Sequence, residues 1–198
     1  MTNFPQIRDA KAVVYDLEFT AWEGSMANRW SRPGEFTELV QIGALRVDAR
    51  SFAVDAELDV LVKPRVNPVL SAYLTELTGI TNNDVAARGI DLVDAYRAFL
   101  DFADGCTTLA FGTDNLIFED NLRLYGLSGF PTPPPFINLR PWFNANGIPT
   151  AKLHSCDVGP TLGVTFEGRQ HNALADTKSL VAGIRVLLER GAKNPLLP

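Results

Sequence analysis

The chain has 198 residues, 46% of them hydrophobic and 21% charged, with a formal net charge of −5. Such a composition can bury the core of one ordinary domain and excludes disordered and membrane-spanning classes. The acidic balance argues against a protein that grips long nucleic acid by phosphate neutralisation, which draws on clustered Lys and Arg. No run is long and apolar enough to cross a bilayer. The start, Met1 to Lys11, lacks the apolar centre of a signal peptide, so a cytoplasmic protein is expected. Cys106 and Cys156 are too few for a disulfide framework and read as small buried hydrophobes.

In chain order, Ala12 to Glu18 has the length and β-branched content of a strand, with Asp16 and Glu18 on one face and Val13, Tyr15 and Leu17 on the other. A polar insert from Ala21 to Glu35 leads to strands around Leu39 to Val47 and Ala53 to Val62, which together form a meander. Ser71 to Leu77 reads as a short helix stopped by Gly79, and Asp91 to Phe102 as an amphipathic helix. Thr107 to Phe111 is a short strand, after which Thr113 or Asp114 can cap a helix running to Tyr125. Pro131 to Pro135 is a stiff loop before the core-like run Phe136 to Leu139. The last helix is predicted from near Asn172 to Arg190-Gly191. Three strands followed by helices alternating with short strands predict an α/β sheet with mixed strand directions.

Two carboxylates at i and i+2 on one strand face stand roughly 6.6 Å apart, and a divalent cation between them relieves their repulsion. An isolated Asp-x-Glu is more often a solvated strand end, so the pair decides nothing alone. Asp176, Leu180, Ile184 and Leu187 recur at helical spacing, which turns Asp176 inward, where it needs a cation, strong donors, or a base such as Lys178 or Arg185. Asp114, Phe118, Leu122 and Tyr125 repeat the pattern, with an ordinary helix cap as the competing role for Asp114. His171 lies five positions before Asp176, roughly 140° away on a continuous helix, so it is expected just before the helix, accessible and able to take a proton from a metal-bound water.

These residues form an ordered set. Tyr15-Asp16-Leu17-Glu18-Phe19-Thr20, Phe111-Gly112-Thr113-Asp114 and His171-Asn172-Ala173-Leu174-Ala175-Asp176 resemble the three motifs of the DEDDh 3′-to-5′ exonucleases, in the RNase H-like (DnaQ-like) superfamily. Glu38 to Gly43 and Glu76 to Thr81 fit the same pattern, and the resemblance runs from about Ala12 to Glu189. Ile137-Asn138-Leu139-Arg140 and Phe166-Glu167-Gly168-Arg169 are similar to the branch that trims RNA 3′ ends, whereas His-x-Ala-x-x-Asp is also similar to polymerase proofreading subunits.

The resemblance implies one domain with a mixed five-stranded sheet, a three-strand meander plus two parallel strands, flanked by helices. It further implies that Asp16, Glu18 and Asp176 bind two Mg²⁺ or Mn²⁺ ions, that Asp114 completes the site partly through water, and that His171 is the general base. The substrate would be the 3′ end of single-stranded RNA or DNA, gripped by Phe19 and Thr20 and by the turn at Leu77, Gly79 and Ile80, with nucleoside 5′-monophosphates as products. The insert carries Trp22, Arg29, Trp30 and Arg32, aromatic faces and cations suited to a splayed strand. Asp16-Leu17-Glu18-Phe19-Thr20 also looks like the opening of haloacid-dehalogenase-type phosphatases, but Glu18 and the meander depart from that pattern. A non-catalytic nucleic-acid-binding domain of the same fold is the remaining rival, and the presence of all five site residues speaks against it.

Overall fold

A computed structural model describes residues 10–131 and 133–197. The N-terminal residues 1–9, on which most of the signal-peptide reading rests, and Thr132 of the proline loop lie outside the described residues. Five strands, β1 (Lys11–Phe19), β2 (Leu39–Asp48), β3 (Val54–Leu61), β4 (Thr107–Ala110) and β5 (Phe136–Asn138), form one sheet in the order β3-β2-β1-β4-β5. The first three pair antiparallel, while β4 runs parallel to β1 and β5 parallel to β4. The predicted mixed sheet is thus the observed one, an RNase H-like arrangement. Central β1 is covered on both faces: Ala12 and Val14 belong to one apolar cluster, and Val13, Tyr15 and Leu17 to the other.

Eight helices stand among the described residues: α1 (Ser25–Asn28), α2 (Ala72–Thr78), α3 (Asn82–Arg88), α4 (Leu92–Ala103), α5 (Asp114–Leu124), α6 (Leu139–Ala145), α7 (Ser155–Thr161) and α8 (Ala173–Glu189). Ser71, Asp91 and Asn172 cap α2, α4 and α8 through their side chains. The short helices α1, α3, α6 and α7 were not read from the sequence. Helix α8 crosses the sheet at a point fixed by Gly43 on β2, where a Cβ would stand 2.1 Å from the backbone nitrogen of Leu174. The Thr177 hydroxyl donates to the Gly43 carbonyl at 2.9 Å, and the Ala173 N–H to the Gln41 side chain at 3.0 Å. These contacts put the first turn of α8 beside the end of β1. Cys156 is buried as expected, but Cys106, just before β4, is only partly so because it sits at the open end of the sheet.

Candidate active site

Asp16 and Glu18 sit near the C-terminal end of β1, 8% and 9% exposed, and Asp176 projects from the first turn of α8 at 1% exposure. One ligand atom each of Glu18, His171 and Asp176 lies within 4.8 Å of the others. Asp114 opens α5 directly after β4. Thr113 is the N-cap and makes no side-chain bond, so the simple capping role weighed for Asp114 is not what the carboxylate does. The bases that could have paired with Asp176 are engaged elsewhere or exposed: Lys178 binds Glu57 at 2.9 Å, and Arg185 faces solvent. All four acids and His171 line one pocket of about 330 Å³.

The electrostatics are those of a cation site. Burial, then repulsion from Asp114 and Asp176, holds the Asp16 pKa well above the ordinary carboxylate range. Glu18 is raised by burial and by Asp16, Asp176 and Asp114 in turn. Asp114 and Asp176 are each pushed up to about 7, chiefly by burial. One oxygen of Asp176, Oδ1, is fully buried and has no hydrogen-bond partner, and Ser155 Oγ reaches only Oδ2, at 3.5 Å. A buried carboxylate with an orphaned oxygen among three others is stable as an anion only beside positive charge. The donor set, all hard oxygens with one imidazole at its edge, fits Mg²⁺ or Mn²⁺.

His171 adopts a left-handed backbone, φ 59°, just ahead of the Asn172 cap. It is half-buried rather than fully accessible, because its ring packs edge-on against His154 with centroids 5.3 Å apart. Burial lowers its pKa, His154 lowers it further, and Asp157 partly opposes them. The ring is accordingly neutral at pH 7 and can accept a proton.

Among the expected contact residues, Phe19, Trp22 and Leu77 line the pocket, together with Met26, Tyr73 and Leu74. Thr20 does not: its hydroxyl, buried, bonds the Phe36 carbonyl and the Glu38 N–H. Gly79 and Ile80 face a separate depression, where the Arg169 side chain lies against Gly79 and its guanidinium donates to the Glu76 carbonyl. Within the insert, Trp30 folds back so that its ring meets Phe19 at 5.5 Å and its N–H donates to the Thr20 carbonyl at 2.9 Å. Arg32 turns to Glu35 and the Glu23 carbonyl. Sequence reasoning missed several of the pocket's polar side chains, His154, Ser155 and Arg140 among them. The chain has only two histidines, which is a usable signal for His154. Arg140 ends one of the branch motifs.

The chain has known relatives. The family model described as Exonuclease matches residues 13–182. The chain belongs to the exonuclease family. Within it, the chain has the residue set of a DEDDh-type 3′-to-5′ exonuclease. It is 25% identical over 204 residues to the 3′-5′ exonuclease Snipper of Drosophila melanogaster, covering 91% of this chain and 70% of that protein. It is 22% identical over 201 residues to ERI1 exoribonuclease 3 of Homo sapiens, covering 96% of this chain but 57% of the relative. The fold superposes on the nuclease domain of 3′hExo bound to rAMP with a TM-score of 0.75 at 21% identity, over 93% of this chain and 94% of that one. With E. coli Exonuclease I in complex with a dT13 oligonucleotide the TM-score is 0.66 at 13% identity, over 92% and 41%.

Proposed function

We propose that this exonuclease removes nucleotides from the 3′ end of single-stranded nucleic acid, RNA in preference to DNA, and releases nucleoside 5′-monophosphates. The observation that carries the proposal is the convergence of four inward-facing acids with a neutral imidazole at their rim; none forms an ion pair among the described residues, and Arg140 only partly opposes the raised pKa of Asp114. Asp16, Glu18 and Asp176 would hold two Mg²⁺ or Mn²⁺ ions, with Asp114 completing the set. When bound, these cations offset the charge of the carboxylates and of the phosphate and supply Lewis acidity. His171 takes the proton of the attacking water. The P–O bond to the 3′ oxygen of the preceding nucleotide breaks, and that oxygen takes a proton from solvent. Phe19, Trp22, Leu74 and Leu77 give the terminal nucleoside an apolar wall.

The RNA preference is supported by the branch motifs ending in Arg140 and Arg169, by the exoribonuclease relative and by the rAMP complex of 3′hExo. The Exonuclease I complex with dT13 supports the DNA reading. A single domain with a core of about 12–190 accords with the family match over 13–182. Two free cysteines accord with a reducing, cytoplasmic setting, and no described helix is long and apolar enough to cross a membrane. The test is mass analysis of the products from single-stranded RNA and DNA digested in ¹⁸O-water. Nucleoside 5′-monophosphates carrying one ¹⁸O on phosphorus are expected, from RNA faster than from DNA; nucleoside 3′-monophosphates or internal fragments would sink the proposal.

A further inference from the structure

Trp30 stands in the wall of two depressions, the catalytic pocket and a second cleft of about 540 Å³ between the insert and α5. From the insert this cleft receives Arg29, from the residue just after the insert Phe36, and from α5 Leu116, Ile117 and Arg123, with Thr113 at the end nearest Asp114. Leu116 is 45% and Phe36 39% exposed. Arg29 is exposed, has a left-handed φ of 55° and forms no ion pair among the described residues. Arg123 pairs only with Asp120, one turn away on the same helix, in an exposed contact of little strength. The other acid of the cleft, Glu35, is already engaged by Arg32 and Ser25.

In-line displacement puts the attacking water and the leaving oxygen on opposite sides of phosphorus. His171 marks the water side, ahead of the α8 turn fastened to β2. Asp114 lies across β1 from it, at the end of β4. With His171 on the water side, the leaving 3′ oxygen and the rest of the strand depart on the Asp114 side, where the neighbouring depression is the one lined by Thr113 and Trp30. Another depression, lined by Tyr73, Leu77 and Arg169, adjoins His171 instead, on the wrong side of the phosphate.

We infer that the cleft between the insert and α5 holds the nucleotides upstream of the scissile bond, with Arg29 and Arg123 toward their phosphates and Phe36 and Leu116 against their bases. This rests on the exonuclease reading above and deepens it. The test compares kcat/KM for a single-stranded octanucleotide with that for the p-nitrophenyl ester of a nucleoside 5′-monophosphate, which has no upstream nucleotide. In Arg29→Glu and in Leu116→Glu the octanucleotide-to-ester ratio is expected to fall about fivefold or more, the scale of losing one stacking or phosphate contact. In Arg29→Glu the log–log salt dependence of octanucleotide KM also becomes shallower by about 0.7. A ratio at the wild-type value in both variants, whatever the absolute rates, overturns the inference. A wild type inert on both substrates sinks the exonuclease reading itself, and the inference with it.

Discussion

The backbone N–H of Ala173 donates to the side-chain oxygen of Gln41 at 3.0 Å, while the Gln41 amide donates to Asp59 at 2.7 Å. A buried side chain of β2 thus fastens the first turn of α8, and with it Asp176, to the strand beside Asp16 and Glu18. Gln41→Leu leaves the Ala173 N–H unpaired and is expected to cost about 1–3 kcal/mol. Gly43→Ala forces the two backbones apart and costs about 3 kcal/mol or more. Chemical denaturation measures both. Divalent-cation affinity by calorimetry is expected to weaken with them, whereas unchanged affinity would mean that α8 is positioned by other contacts.

Asp176→Asn removes one charge from a crowded set and spoils a metal ligand. Activity is expected to fall about a thousandfold or more, ~4 kcal/mol of transition-state stabilisation. In EDTA, however, the variant should melt at a higher temperature than the wild type, because repulsion from Asp16 and Glu18 is relieved. A lower melting temperature in EDTA would show that the carboxylate is stabilised by partners other than a cation.

The sign of the pH dependence follows from the raised carboxylates. Asp114 and Asp176, at about 7 in the folded chain and ordinary values when unfolded, bind protons more tightly in the folded state. Their contribution to metal-free stability is full below about pH 4 and is lost as pH rises through 7. Exposed acids with lowered pKa values, such as Asp84 and Asp91, lose stability only on the acid side of their ordinary range. Between pH 5 and 8 the raised carboxylates outweigh His171, whose lowered pKa acts the other way, so the melting temperature in EDTA is expected to fall with pH, and Mn²⁺ to abolish or reverse the trend. A metal-free melting temperature that rises over that window contradicts the charge balance described for the pocket.

His171→Ala separates proton transfer from metal binding. Loss of a general base lowers kcat about 10²–10⁴-fold, with cation affinity by calorimetry little changed. Because a ring nitrogen of His171 lies within 4.8 Å of Glu18 and Asp176 donor atoms, loss of cation binding would identify it as a ligand instead.

Local pattern made the frame legible. The alternation of β1, the apolar stripe beneath Asp176 and the caps Ser71, Asp91 and Asn172 act over a few residues, so strands, long helices and the five residues that line one pocket together are legible in order. Helix α3 carries a short-range signal in the Thr81-x-x-Asp84 spacing, which forms a reciprocal cap. Helix α7 carried little, since Gly159 and Pro160 lie inside it and it forms by packing on α8. Ser155, His154 and Arg140 reach the pocket through such long-range packing. Arg140, for example, stacks on Phe111 at 4.3 Å and bonds the carbonyls of Phe111, Thr150 and Leu153. Thr20 and Gly79 are expected at the substrate from their motif positions, and the structure gives each a local role besides: the Thr20 hydroxyl ties the insert to β2, and Gly79 caps α2 and makes room for Arg169.

In the proposed reading these acids and His171 form a cation-dependent centre that shortens chains from the 3′ end. Single-stranded RNA and DNA oligonucleotides labelled at the 5′ end, incubated with Mg²⁺, Mn²⁺ or EDTA and with Asp176→Asn as control, put it to the test. A ladder that shortens one nucleotide at a time with either cation, and is absent in EDTA and in the variant, is the expected result. No degradation of either polymer by the wild type, or equal degradation in EDTA, would contradict it.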